Sequence, residues 1–123
     1  MMVLMIEPGK APKRVELSKE FACMQQAVGG IIQAVYPFED TVTLICNDEG
    51  KPLGLPFNRG LKTADGKLYD VICGTFFLCA APADSDHLES LLEEQLLHYE
   101  ELFRYPEMLA KVNGELICIP TYE

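Results

Sequence analysis

The stretch Tyr69–Ala81 (Tyr-Asp-Val-Ile-Cys-Gly-Thr-Phe-Phe-Leu-Cys-Ala-Ala) is apolar almost without interruption and rich in β-branched and aromatic residues. Such a run reads as a strand, and a strand apolar on both faces has to lie inside a sheet that is covered on both sides. A chain of 123 residues has room for one such sheet and its covering helices, so the run predicts one domain over 1–123. Gly74 within it predicts a bulge or a close approach of other backbone.

The remaining elements are read around that strand. Val3–Glu7 is a first strand ended by Pro8-Gly9, and Lys13–Leu17 alternates as a short return strand. Ser18 is an expected N-cap for a helix that places Phe21, Met24 and Val28 on one face, with Gly29 as the left-handed residue that ends it. Ile31–Tyr36 and Thr41–Cys46 are β-rich. Leu53–Leu55 is expected as a short hairpin arm between two prolines, and Phe57–Lys67 as a loop. Asp84–Tyr105 has the strongest helical pattern, with Leu88, Leu91, Leu92, Leu96, Tyr99, Leu102 and Phe103 at i, i+3, i+4 spacing. Pro106 interrupts it, with a short second helix to Val112 as an alternative, before Asn113-Gly114 turns the chain into a last strand, Glu115–Ile119. The expected class is α+β. The sheet is expected to be mixed or mainly antiparallel, β-grasp-like in its opening, and packed by one N-terminal and one long acidic C-terminal helix.

Charge narrows the classes of partner. The formal charge is −9, and residues 61–123 carry 12 acids against 4 basic residues. That disfavours direct binding to nucleic-acid phosphates. A solvated acidic helix face is the simplest account. A surface for a basic protein, or one that mimics a nucleic-acid backbone, is the sharper one, with Leu97 as an apolar residue among the acids. No apolar run approaches the roughly 20 residues of a membrane span. Met1–Ile6 has no basic leader and is cut short by Glu7-Pro8-Gly9, so no signal peptide is expected. The five cysteines, Cys23, Cys46, Cys73, Cys79 and Cys118, form no C-x-x-C pair and are expected as free, mostly buried thiols in a reducing cytoplasm.

Several short motifs carry a family resemblance. They are Val28-Gly29-Gly30, Val35-Tyr36-Pro37-Phe38, Cys46-Asn47-Asp48-Glu49-Gly50-Lys51, Gly54-Leu55-Pro56, Asn58-Arg59 and Gly74-Thr75-Phe76-Phe77. Their order and spacing resemble the bacterial domain of unknown function 3846 family over about residues 1–106. Leu102–Met108 is also similar to some members, whereas Gly114–Glu123 is a C-terminal strand extension outside the likeness. The resemblance implies a mobile-element context, in phages and conjugative elements, and no activity.

Asn58-Arg59 is the foremost candidate pair. Arginine offers a planar fork suited to a carboxylate or phosphate, and asparagine both donates and accepts. One reading has Arg59 pinning its own segment to backbone carbonyls or to Asp70, Glu39 or Asp40. The other has it binding a small anionic ligand with Asn58, Tyr36 and Asp70 converging on it. His87 and His98 lie about 16 Å apart along an ideal helix, too far to share one ion. No metal, cofactor loop or nucleophile–base pair is expected. The leading expectation is therefore a non-catalytic interaction or ligand-binding module. A basic-partner or DNA-mimicking inhibitor of host defence and a small enzyme acting through Arg59 are the alternatives, and self-association is left open.

Overall fold

The computed structural model describes residues 1–121. In chain order its elements are β1 (Met2–Ile6), β2 (Lys13–Glu16), α1 (Phe21–Val28), β3 (Ile32–Val35), β4 (Val42–Asn47), β5 (Phe57–Lys62), β6 (Leu68–Cys73), β7 (Phe76–Ala80), α2 (Glu93–Leu102), β8 (Glu107–Val112) and β9 (Glu115–Pro120). β2-β1-β7-β4-β3 form a five-stranded sheet, and β5-β6 and β8-β9 form two separate ribbons. Every ladder is antiparallel, which makes an α+β protein without the mixed sheet. This order does not confirm a β-grasp layout. Positions 122 and 123 of the C-terminal extension lie outside the described residues.

The sheet is covered on both faces, as the apolar strand demands. Val3, Met5, Ile45, Phe77 and Cys79 pack against Met24 and Val28 of α1. Leu4, Ile6, Leu44, Phe76 and Leu78 pack on the other face against Leu96, Tyr99 and Phe103 from the α2 side. Alternation along each strand divides its residues between the two cores. Phe76, Phe77 and Leu44 are fully buried, while Ile32 and Val71 are partly so.

The apolar run is not one strand. It breaks after Cys73, at Gly74, whose φ of +88° is left-handed. A Cβ there would stand 2.8 Å from Leu55 Cδ1. β6 therefore leaves for its own ribbon with β5, and only Phe76–Ala80 enters the central sheet. Phe57–Lys62 is a strand rather than a loop, because it pairs with β6. Leu53–Leu55 is not a hairpin arm: the Leu53 and Gly54 amides close turns onto Glu49 and Lys51 carbonyls.

Both helices begin later than the pattern suggests. Ser18 does not cap α1; its Oγ accepts from the Glu20 amide, and Glu20 occupies the cap position. Gly29 does end α1 in the left-handed conformation, at φ +82°. α2 is Glu93–Leu102, not Asp84–Tyr105. Glu89 exchanges backbone hydrogen bonds with Ala80, and the Leu91 amide donates to the Met2 carbonyl. Sheet-edge pairing thus takes the first half of the expected helix, an instance of tertiary context overriding periodicity. His87 lies outside the helix and His98 within it. The stretch after Pro106 is β8, not a second helix. Asn113 (φ +51°) and Gly114 (φ +83°) form the turn of its hairpin with β9.

Candidate functional site

β5 brings the predicted pair Asn58-Arg59 into the centre of the molecule rather than to a loop surface. Asn58 is fully buried and Arg59 is 1% exposed. The Asn58 side-chain amide donates to the carbonyls of Ile6 and Gly74, both at 2.9 Å. It thereby ties β5 to the end of β1 and to the kink before β7. Its Oδ1 accepts from Arg59 Nη1 at 2.8 Å.

Arg59 Nη2 donates to the Lys10 carbonyl at 2.7 Å and the Phe103 carbonyl at 3.0 Å. Lys10 lies between β1 and β2, and Phe103 is the C-cap of α2. The guanidinium therefore sits at the negative end of the α2 dipole and satisfies one of its orphan carbonyls. No carboxylate lies within ion-pair distance of it among the described residues. Of the partners expected for a pinning Arg59, it bonds backbone carbonyls and not Asp70, Glu39 or Asp40. Burial lowers the Arg59 pKa, and the field of Glu107 opposes that shift.

The other two predicted residues lie elsewhere. Tyr36 is 67% exposed, just past β3. Asp70 lies on β6, where it pairs with Lys51 at 2.5 Å and accepts from the Val71 amide. Asp40 accepts from the Tyr99 hydroxyl and the Gln95 side chain. Asn58 and Arg59 thus act together, and neither Tyr36 nor Asp70 converges on them.

The acidic helix is likewise tied to the protein itself. Arg14 on β2 donates to both oxygens of Glu100 and both of Glu93. This pairing holds the Glu100 carboxyl below its ordinary pKa and raises that of Arg14. Lys19 pairs with Glu89, and Arg104 with Glu101. Burial pushes the Cys79 thiol up to about 12, and Cys46, Cys73 and Cys118 also rise with burial. These thiols are protonated and weakly nucleophilic. Among the described residues no cluster of His, Cys, Asp and Glu is placed to hold a metal ion, and no helix is long and apolar enough to cross a membrane.

The family model described as Domain of unknown function (DUF3846) matches residues 1–104. The chain belongs to the DUF3846 family. Every residue of the Asn58–Arg59 clamp, from Ile6 to Phe103, lies inside the DUF3846 match, and the β8–β9 hairpin lies outside it. No curated protein and no solved structure matches the chain.

That hairpin is the surface sequence reasoning missed. Along β8 and β9, Met108 faces Ile119, Ala110 faces Ile117 and Val112 faces Glu115 on the same side, so one acid borders the apolar residues at the turn end. Met108 is 53% exposed, Val112 47%, Ile119 38% and Ile117 37%. The opposite side carries Glu107, Leu109 and Cys118 and lies over β5. There Glu107 accepts from the Gly60 amide at 2.8 Å and pairs with Lys62. Gly60 permits the close approach, since a Cβ would meet the Cys118 sulfur and lie 2.6 Å from Leu68 Cδ1. The signal available was Asn113-Gly114 between two short apolar runs, a hairpin signature that the helix reading of the first run obscured.

Proposed function

We propose that this protein is a non-catalytic interaction module of a bacterial mobile element, and that it meets a partner protein through its C-terminal hairpin. The observation that carries this reading is the outward apolar face of Met108, Ala110, Val112, Ile117 and Ile119. Single exposed apolar residues are ordinary, but a contiguous set on one face of a ribbon marks a contact surface. The mobile-element context rests on the family resemblance.

The alternatives have less support. Catalysis through Arg59 needs the guanidinium to reach a substrate, and its Nη groups are buried on carbonyls. Mimicry of a nucleic-acid backbone needs a stripe of free acids, whereas Glu89, Glu93, Glu100 and Glu101 are engaged by Lys19, Arg14 and Arg104.

The test is site-specific crosslinking in bacterial lysate, with a photoreactive residue at position 108 and a control at the exposed position 94. A discrete adduct formed from 108, absent from 94 and lost with Ile117→Asp, is expected. Equal or no adducts from both positions would overturn the reading.

A further inference from the structure

A cavity of about 300 Å³ lies where four parts of the chain meet: the segment after β3, the β5–β6 ribbon, the end of α2 and the start of β8. Phe38, Tyr69 and Phe103 give it aromatic walls. The Phe38 and Phe103 rings meet edge-on with centroids 6.1 Å apart, and Tyr69 is half exposed. Apolar walls around a few polar groups are the usual make-up of a small-molecule site, and this volume is at the small end of the range.

Arg59 supplies the polar group. It lines the cavity, as does Phe103, whose carbonyl accepts from Nη2. Nη1 bonds Asn58 and Nη2 bonds two carbonyls, but Nε has no hydrogen-bond partner. Among the described residues it is the one buried side-chain nitrogen or oxygen in that position. Buried donors are nearly always paired, so an unpaired one marks a place for an acceptor.

The charge of Arg59 is unmatched in the same way. The charged residues lining the cavity are Arg59, Lys62 and Glu107. Glu107 is engaged through both oxygens, by the Gly60 amide at 2.8 Å and by Lys62 at 3.4 Å. Lys62 and Glu107 cancel, and Arg59, which stays protonated in proteins, meets carbonyl oxygens only. The partial charge of the α2 terminus offsets part of the guanidinium charge and leaves the rest to favour an anionic guest.

We infer that this cavity binds a small organic acid, an aromatic ring bearing one carboxylate. The ring packs among Phe38, Tyr69 and Phe103, and one carboxylate oxygen accepts from Arg59 Nε. Nε is sheltered from bulk water, so the walls shift as the oxygen arrives, a side-chain adjustment that is common on binding. Phosphate is a poorer guest, since phosphate sites gather several N–H donors and here one remains. The site is separate from the hairpin's outer face, and the inference does not depend on that face meeting a partner.

The test titrates the full chain with benzoate and phenylacetate, with the neutral amides of both, and with inorganic phosphate, followed by proton–nitrogen NMR. At least one acid is expected to bind in the millimolar range or tighter, about tenfold more tightly than its amide, and phosphate is expected not to bind. The Arg59 Nε–H resonance should move with the acid, and backbone shift changes should fall on 59–64 and 102–107. Because Arg59 variants disturb the fold, this resonance in the parent chain carries the test. Tyr69→Ala, at a half-exposed position, should weaken acid binding several-fold while leaving the rest of the spectrum in place.

Equal affinity for acids and amides, an unmoved Nε–H resonance, shift changes away from the cavity, or no binding of either acid in the millimolar range would overturn the inference. Failure here with the position-108 adduct intact removes the cavity proposal alone. Loss of that adduct with acid binding intact removes the hairpin-face reading instead.

Discussion

The central sheet and the C-terminal hairpin are both antiparallel β-structure, but they are held by different forces. In the sheet, β1, β4 and β7 are almost wholly buried, and each face is closed by a helix. The hairpin has one side over β5 and the other in solvent. It is fastened by Glu107 on the Gly60 amide and Lys62, and by Cys118 over Gly60. A two-stranded ribbon is marginally stable alone, so these few contacts decide whether it stays in place. The sheet makes the protein fold, while the hairpin presents surface at little cost to the fold.

The comparison breaks first if truncation in the sheet is cheap. Phe77→Ala empties a site between α1 and the sheet and is expected to cost about 3–5 kcal/mol in urea unfolding. Arg59→Ala is expected next, at about 2–4 kcal/mol, since it strands the Lys10 and Phe103 carbonyls and leaves Asn58 Oδ1 without its donor. Arg59→Lys should recover little of this, because one ammonium lacks the planar fork that spans these carbonyls. Full rescue by lysine would show that charge, rather than shape, holds the junction.

How much of this was legible in the sequence follows the same division. Val3–Ile6 and Thr41–Cys46 were readable because a strand buried on both faces leaves an unbroken β-rich run. Met24 and Val28 were readable because a helix buried on one face leaves its spacing, whereas Phe21, expected on the same face, is 57% exposed. The split at Gly74 and the pairing of Phe57–Lys62 were not readable. They depend on Leu55 and Asn58 arriving from elsewhere, and no local period records that. Leu88 and Leu91 fit a helix by spacing, yet the backbone pairs Glu89 with Ala80 and donates the Leu91 amide to Met2. The Arg59 pair was visible as residues of interest, but the helix terminus that receives it could be located only in three dimensions. Glu107–Val112 looked helical because Pro106 can begin a helix, and its β character came from its partner strand.

The junction between the two regions sharpens the comparison. Gly60→Val drives a side chain into Cys118 and Leu68 and is expected to cost about 1–3 kcal/mol. Hydrogen exchange is the discriminating measurement. Amides of 107–120 should lose protection while those of β1, β4 and β7 keep theirs, as expected of a locally opening unit. Uniform loss across both regions would show that the hairpin and the sheet unfold as one.

Acid probes the sheet side more gently. Glu7, held chiefly by Lys13, and Glu100, held by Arg14, have pKa values below the ordinary 4.5. The unfolded chain therefore takes up protons at these two positions first as pH falls through 4.5. Their stabilisation is present above that value and is lost as pH drops toward the folded-state values. Arg14→Gln should flatten the Glu100 share of this decline in melting temperature, while leaving the hairpin's exchange rates unchanged. An unaltered slope would mean that the Arg14–Glu100 pair is too well hydrated to matter.

The smallest effect is expected on the hairpin's outer face, and it tests the contrast most directly. Met108→Ser and Val112→Thr remove apolar surface that already faces water, so the folded and unfolded chains lose it almost equally. Stability should change by no more than about 0.5 kcal/mol, an order of magnitude below Phe77→Ala. The ribbon's turn does not depend on these side chains, since Asn113 and Gly114 set it. Urea midpoints and slopes for the two variants should therefore overlay those of the parent chain. A cost near 2 kcal/mol would mean that the face is packed against something within the protein in solution. The hairpin would then be part of the core, and its apolar residues would no longer argue for a partner.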